Sequence, residues 1–326
     1  MLKENGTTTI TEFIIVGFPG LHSDYYGLVS VTLFLIYVTS VTGNLLLMGL
    51  FVFSRSFRKP MYIIMVNLAL VDISFCTVTL PKIIARYWFD AGAIPFQVCF
   101  FQRYLVHYFG TLTSFIMMIM ALDRYVAICH PLRYPSIMTN RIMAVLNVLA
   151  WVFAVAPPTI TTVQAYELPY CGPNRIIHCY CESISISALA CAGSSVHRVV
   201  SVSTALLVLL GPLSFIIFSY GCIIVSVLRI ASSHGRWKTF STCSSQLSII
   251  SLYYVPRCFV YITSLGGFKM SADFRILLVL FYSIFPPLVN PFIYCFRNQE
   301  IRQRLGRWVR RQQAVSQKPI IHSVSQ

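Results

Sequence analysis

Seven long apolar stretches alternate with short polar ones along the chain: Tyr26–Phe53, Met61–Tyr87, Phe100–Cys129, Ile142–Ala165, Val199–Leu228, Phe240–Leu265 and Ile276–Tyr294. A helix needs about 20 apolar residues to cross the hydrocarbon of a bilayer. The pattern therefore predicts an all-α membrane protein, a bundle of seven transmembrane helices. The connections at Arg55–Lys59, Arg133–Arg141 and Arg229–Lys238 are basic and hold no acid. Beyond Tyr294 the chain is basic too, with Glu300 its only acid, whereas Glu4, Glu12, Asp24, Asp90, Glu167, Glu182 and Asp273 fall on the other side. The Lys/Arg bias places the N-terminus outside and the tail inside. The expected organisation is an outer N-terminus over 1–25, the bundle over 26–296 and a cytoplasmic tail over 297–326. In the tail, Ile301, Leu305, Trp308 and Val309 fall at i, i+4, i+7 and i+8, opposite five arginines. That spacing predicts a short amphipathic helix lying in the membrane surface.

Composition narrows the class. Hydrophobic residues make up 56% of the chain and charged residues 11%, against roughly 25% charged in soluble domains. So few charges could not cover a soluble core of this size. The net charge of +15 lies between apolar segments and in the tail, which fits anionic lipid better than nucleic acid. Met1–Phe13 has no apolar signal segment, so the first helix is expected to act as its own membrane signal. Asn5-Gly6-Thr7 is an N-glycosylation acceptor on the outer side. The outer loop Tyr166–Gly193 holds Cys171, Cys179, Cys181 and Cys191, and helix three begins beside Cys99. An outer loop matures in an oxidising compartment, so disulfides are expected there rather than zinc.

Polar groups inside the apolar stretches are costly and mark function. Asn44 lies in the first, Asp72 deep in the second, and Asn290 in the seventh. The third stretch closes on Met120–Tyr134, MALDRYVAICHPLRY, where Asp123 and Arg124 stand side by side at the end of an uncharged run. On its own the pair marks a membrane boundary, or a lock that opens to admit a partner. Further motifs are Lys59-Pro60-Met61-Tyr62, the stretch Lys238-Thr239-Phe240-Ser241-Thr242-Cys243-Ser244-Ser245-Gln246, and Asn290-Pro291-Phe292-Ile293-Tyr294.

These motifs, in this order, resemble those of vertebrate olfactory receptors, a branch of the rhodopsin-like G-protein-coupled receptors. The resemblance runs from about Asn5 to Asn298. Pro135–Asn140 and the stretch Leu252–Arg257 look most like the fish members. The resemblance implies an odorant receptor of the plasma membrane, not an enzyme, that couples to a stimulatory G protein and raises cyclic AMP. It implies a switch of Asp123, Arg124, Tyr125, Tyr220, Asn290, Pro291 and Tyr294, with kinks at Pro212, Pro256 and Pro291 as pivots. It also suggests disulfides Cys99–Cys181 and Cys171–Cys191, although the residues alone leave Cys99–Cys179 open. An acid placed like Asp72 holds sodium in rhodopsin-like receptors; the alternative is a hydrogen-bond network of Asn44, Asp72 and Asn290 without an ion. The chain departs from the olfactory pattern at Thr113, where many members carry glutamate, and at Gln246, where histidine is usual.

The ligand site rests on charges in the outer halves of the helices. Arg103 and His107 stand one turn apart on helix three, followed by Thr111 and Ser114, and helix six carries Tyr254, Arg257 and Tyr261 at i, i+3 and i+7. An intramembrane cation faces the bundle interior and needs a partner. Two readings stand. Arg257 and His107, with Arg103, bind an anionic odorant such as a carboxylate, which a guanidinium grips bidentately. Alternatively, Arg257 pairs with Glu182 and holds the outer loop down as a lid. The seventh stretch has no lysine for a retinal Schiff base, and the third has no outer aspartate of the kind amine receptors use. A transporter would show repeated halves or broken helices around its charges, and an enzyme a second deep acid or a His cluster; neither is seen. A receptor for a non-olfactory small ligand remains the rival within the same fold.

Overall fold

The computed structural model describes residues 2–4, 7–53, 59–171, 173–191, 195–230, 232–268, 270–297 and Gly306. The acceptor Asn5 and the amphipathic segment of the tail lie outside the described residues.

The chain forms helices α1 (Tyr26–Phe53), α2 (Pro60–Phe89), α3 (Phe96–Cys129), α4 (Tyr134–Ile137), α5 (Asn140–Phe153), α6 (Ala156–Tyr166), α7 (Ser183–Ser187), α8 (Ser195–Leu228), α9 (Ser233–Leu265) and α10 (Ala272–Arg297). Six spans are long and apolar enough to cross a membrane, with α5 and α6 together making the fourth. The remaining span, α9, is 33 residues long. Its cytoplasmic half, from Ser233 to Gln246, is rich in Ser, Thr and charge, which lowers its hydropathy without shortening it.

The fourth span differs from expectation. One continuous helix was expected over Ile142–Ala165, but α5 ends at Phe153 and α6 begins at Ala156. Pro157 and Pro158 carry no N–H and crowd the preceding turn, so they sit where α6 starts. Other helices run further than the apolar stretches: α3 starts at Phe96 and α9 at Ser233. At 1.5 Å per residue they outreach the hydrocarbon core of ~30 Å, so their polar ends stand in the interfaces.

Side chains tie the spans together. The Trp151 indole N–H donates to Asn67 Oδ1 at 2.9 Å, pinning α5 to α2. Ser219 donates to the Ala121 carbonyl at 2.9 Å between α8 and α3. Tyr253 donates to the Gly110 carbonyl at 2.8 Å between α9 and α3.

The outer face carries a small sheet that apolar periodicity did not indicate. Strand β1 (Leu2–Glu4) pairs antiparallel with β2 (Thr7–Thr9), and β3 (Glu12–Ile15) lies between β4 (Ala93–Pro95) and β5 (Arg175–Ile176). β3 runs antiparallel to β4 and parallel to β5. The N-terminal segment thus straps the loop between α2 and α3 to the loop before α7. Phe13 and Ile15 are fully buried beneath it, and Phe13 stacks on Phe96 at 5.5 Å. The strap then turns at Gly17, whose φ of 79° and closeness to the Tyr87 hydroxyl leave no room for a Cβ. Phe18 N–H donates to that hydroxyl at 2.8 Å, and Gly20 N–H to Asp273 at the start of α10 at 3.2 Å.

Candidate ligand site and cytoplasmic switch

Under the strap, the outer loop is bonded to α3. Cys99 and Cys181 are joined, with S–S 2.01 Å and Cα–Cα 5.5 Å, and Cys171 pairs with Cys191 across a Cα–Cα distance of 5.6 Å. Cys179 is a buried free thiol, and burial pushes its pKa up, so it is neither a ligand-ready thiolate nor the partner of Cys99. Gln102 completes the tether, accepting from Cys181 N–H at 3.0 Å and donating to the Val78 carbonyl at 2.8 Å. Among the described residues, no group of three or more His, Cys, Asp or Glu could hold a metal.

Two chambers lie below this lid. The first, about 100 Å³, is bounded by α2, α3, α9 and α10 and reaches from Tyr180 and Glu182 down to Asp72 and Asn290. The second, about 500 Å³, lies between α3, α6, α8 and α9, lined by Thr111, Pro158, Thr161, Ser201, Ala205 and Val208 among others. They share His107, Ser183, Ile184, Arg257 and Tyr261 as a common wall. Only the second has the size usual for a small-molecule pocket, ~300–1,000 Å³.

The sequence-predicted ligand residues divide on this geometry. His107, Arg257 and Tyr261 line both chambers, and Thr111 lines the second. His107 Nε2 is buried with no hydrogen-bond partner. Arg103 lines neither chamber. Its guanidinium, 0% exposed, donates to Thr162 at 2.8 Å and Ser183 at 2.9 Å. It therefore holds α6 to the loop rather than facing a ligand, because the i, i+4 spacing with His107 aligns the two Cα positions but not the reach of a long side chain. Tyr254 is also displaced. It is 2% exposed and lines neither chamber, while its neighbour Tyr253 lines the first. Tyr253 lies one turn before Arg257, and its hydroxyl takes the Arg257 guanidinium, which also stands 5.2 Å from the Tyr253 ring centroid. The signal for Tyr253 was present as an i, i+4 pair; the i, i+3 pair was read instead.

The lid reading of Arg257 fails. Glu182 makes no ion pair with it. Glu182 caps α7, accepting from Ile184 N–H at 3.0 Å, Ser185 N–H at 2.7 Å and the Ser185 hydroxyl at 2.7 Å. A residue not singled out from the sequence, Arg275 of α10, also lines the first chamber and lies 3.5 Å from Ser185 Oγ. Lys82 and Arg86 turn outward, to the Ala93 carbonyl and to Asp90.

At the base of the first chamber, Asn290 Nδ2 donates to Asp72 Oδ2 at 2.8 Å. Asn44 donates to the carbonyls of Ser40 and Pro287, each at 2.9 Å. Asn44 Oδ1 and Asn290 Oδ1 remain buried without partners. Thr113, at the departure from the olfactory pattern, lines the chamber but spends its hydroxyl on the Phe109 carbonyl.

At the cytoplasmic end, Asp123 is fully buried. It stands 3.2 Å from the Arg124 guanidinium and accepts from the Tyr134 hydroxyl at 2.8 Å. Arg124 also contacts the Met61 sulfur. The Tyr220 and Tyr294 hydroxyls are buried without partners, and Tyr125 sits against His130 at 3.4 Å.

Known proteins are similar to this chain in sequence and in fold. A family model described as olfactory receptor matches residues 33–312. The chain is 36% identical over 315 residues to human olfactory receptor 2A12, covering 96% of this chain and 100% of the relative. It is 35% identical over 311 residues to mouse olfactory receptor 2A7, covering 95% and 99%. The backbone is similar to the crystal structure of squid rhodopsin, with a TM-score of 0.72 over 90% of this chain and 83% of that one, at 18% identity.

Proposed function

The chain belongs to the olfactory receptor family, and on that premise we propose that it recognises a carboxylate-bearing odorant through Arg257 and signals through a stimulatory G protein that raises cyclic AMP. Membership makes it a multi-pass odorant receptor of the plasma membrane that acts through a G protein, and not an enzyme. The finer reading rests on one observation. Arg257 lines both chambers, and no carboxylate lies within ion-pair distance of it among the described residues. A guanidinium inside a membrane bundle calls for a counter-charge, and a planar fork suits a carboxylate. Tyr253 and Tyr261 orient it, and His107 supplies a further polar group. The ligand shifts the receptor by binding one bundle packing better than another; in that shift α9 swings outward, and the contacts of Asp123 and Arg124 loosen to open a groove for the G protein.

Sodium at Asp72 belongs to the same reading. Asp72 offers a carboxylate, the unpartnered Asn44 and Asn290 oxygens support it, and oxygen donors suit a hard cation. Asp72 and Asn290 would hold the ion.

The test is cyclic AMP in cells expressing the receptor with a stimulatory olfactory G protein, across matched acids, esters, alcohols and amines. Acids lead in the wild type, and Arg257→Ala raises their half-maximal concentration on the order of 10- to 100-fold, the worth of a charged hydrogen bond. Responses led by neutral or amine odorants, or acid responses intact in Arg257→Ala at equal surface expression, overturn the carboxylate reading.

A further inference from the structure

The two chambers differ in charge as much as in size. The first carries both signs: Asp72 and Glu182 stand with Arg257 and Arg275. Among the described residues, no carboxylate lines the second, and its basic lining is Arg198, Arg257, His107 and His197. Arg198 lies on the first turn of α8 and is exposed, so the second chamber meets the surface there. Arg257 stands at the opposite end, in the wall shared with the first chamber. On the outer side of the first chamber, His178 and Tyr180 are buried, and Gly17 N–H binds the His178 carbonyl at 3.2 Å.

We propose that anionic ligands reach Arg257 through the second chamber, between α6 and α8, and that Arg198 at its mouth selects for them. The inference rests on the carboxylate reading of Arg257 and adds a route and a specificity residue to it. A cleft lined by one sign of charge with low-dielectric walls concentrates the opposite ion and speeds its arrival. An anion moving along the second chamber passes from Arg198 to Arg257 without meeting a carboxylate. In the first chamber it would have to pass Glu182. The effect belongs to access, so Arg198 alters how fast and how selectively anions arrive, whereas Arg257 alters how tightly they are held.

Substituted cysteines test this without the natural odorant. Ala205→Cys places a thiol in the second chamber and Ser283→Cys one in the first, each in the full-length receptor at the cell surface, with the parent as control for native thiols. The probes are sulfonatoethyl and trimethylammonioethyl methanethiosulfonates, each rate divided by that reagent's rate on a small free thiol. At Ala205→Cys the anionic reagent is expected to be favoured, roughly 3- to 10-fold. Adding Arg198→Gln removes most of that preference and Arg198→Glu inverts it, while surface expression holds. An anion preference that survives Arg198→Glu overturns the role of Arg198. A surface-expressed Ala205→Cys that does not react while Ser283→Cys does overturns the route. Acid responses left intact in Arg257→Ala overturn the carboxylate reading alone and leave the labelling ratio as it was, so the two failures are distinct.

Discussion

Glu182 carries three donors on one carboxylate beneath the outer loop. Burial pushes this carboxyl up, but the neighbouring His178 and the Ser185 and Ile184 donors outweigh it, and its pKa falls below the ordinary range. His178 itself is brought down to about 4, chiefly by burial. At neutral pH the imidazole is uncharged, so the hydrogen bonds of α7, and not an ion pair, hold the carboxylate. The sign of the pH dependence follows. Between about 4 and the ordinary 6.5, an unfolded chain binds the histidine proton and the folded loop does not. Stability from His178 is therefore complete above 6.5 and is lost as pH falls through that window. Thermal unfolding of the detergent-solubilised receptor should drop as pH goes from 7 to 4.5, and His178→Gln should flatten the drop. An unchanged slope would show that His178 is not the group that titrates.

The elements that matter most are the ones that hold longer helices by their ends. The four-residue α4 presents Tyr134 to Asp123 and so fixes the cytoplasmic end of α3. One neutral-to-charged hydrogen bond of this kind contributes about 1.5–3 kcal/mol, roughly a 10- to 100-fold population ratio. Tyr134→Phe should therefore raise cyclic AMP in the absence of odorant, by roughly tenfold or more at matched surface expression. A basal level at or below wild type would mean that α4 does not hold the packing described above. On the outer side, β3 does for the loops what α4 does for α3: one short strand, bonded on both edges, joins two loops, and Gly20 beyond it bonds the start of α10.

Across the whole bundle, α1, α2 and α10 meet at Asn44, Asp72 and Asn290, directly beneath the first chamber. A cation held there would bind one packing of these helices better than another, and sites that bias the same two packings are coupled. Replacing extracellular sodium with choline is expected to shift the half-maximal odorant concentration by a few-fold, on the order of 1 kcal/mol of coupling. Asp72→Asn should abolish the shift. A sodium dependence that persists in Asp72→Asn places the ion elsewhere.

The number of spans, their order and their orientation were determined by the chain itself. Hydrocarbon excludes unpaired backbone and charge, so apolar length and Lys/Arg bias leave little freedom. The motifs around Asp123, Asn290 and Lys238 carried the family for the same reason, since each sits at a fixed place on a span. Facing within the outer half was not determined. One helical face admits Tyr253 or Tyr254 beside Arg257, and a long arginine at position 103 can reach sideways to Thr162 and Ser183 instead of inward. The sequence offers Glu182 as a partner for Arg257, but the loop winds into α7 and uses it as a cap. The break before Pro157–Pro158 was passed over in a stretch read as one helix, and the β3 strap gave no signal: its strands are two to four residues long and draw their partners from three separate segments. Only the tertiary structure decided these points, because side-chain reach, loop path and strand pairing depend on neighbours distant in sequence, whereas burial in lipid depends on each segment alone.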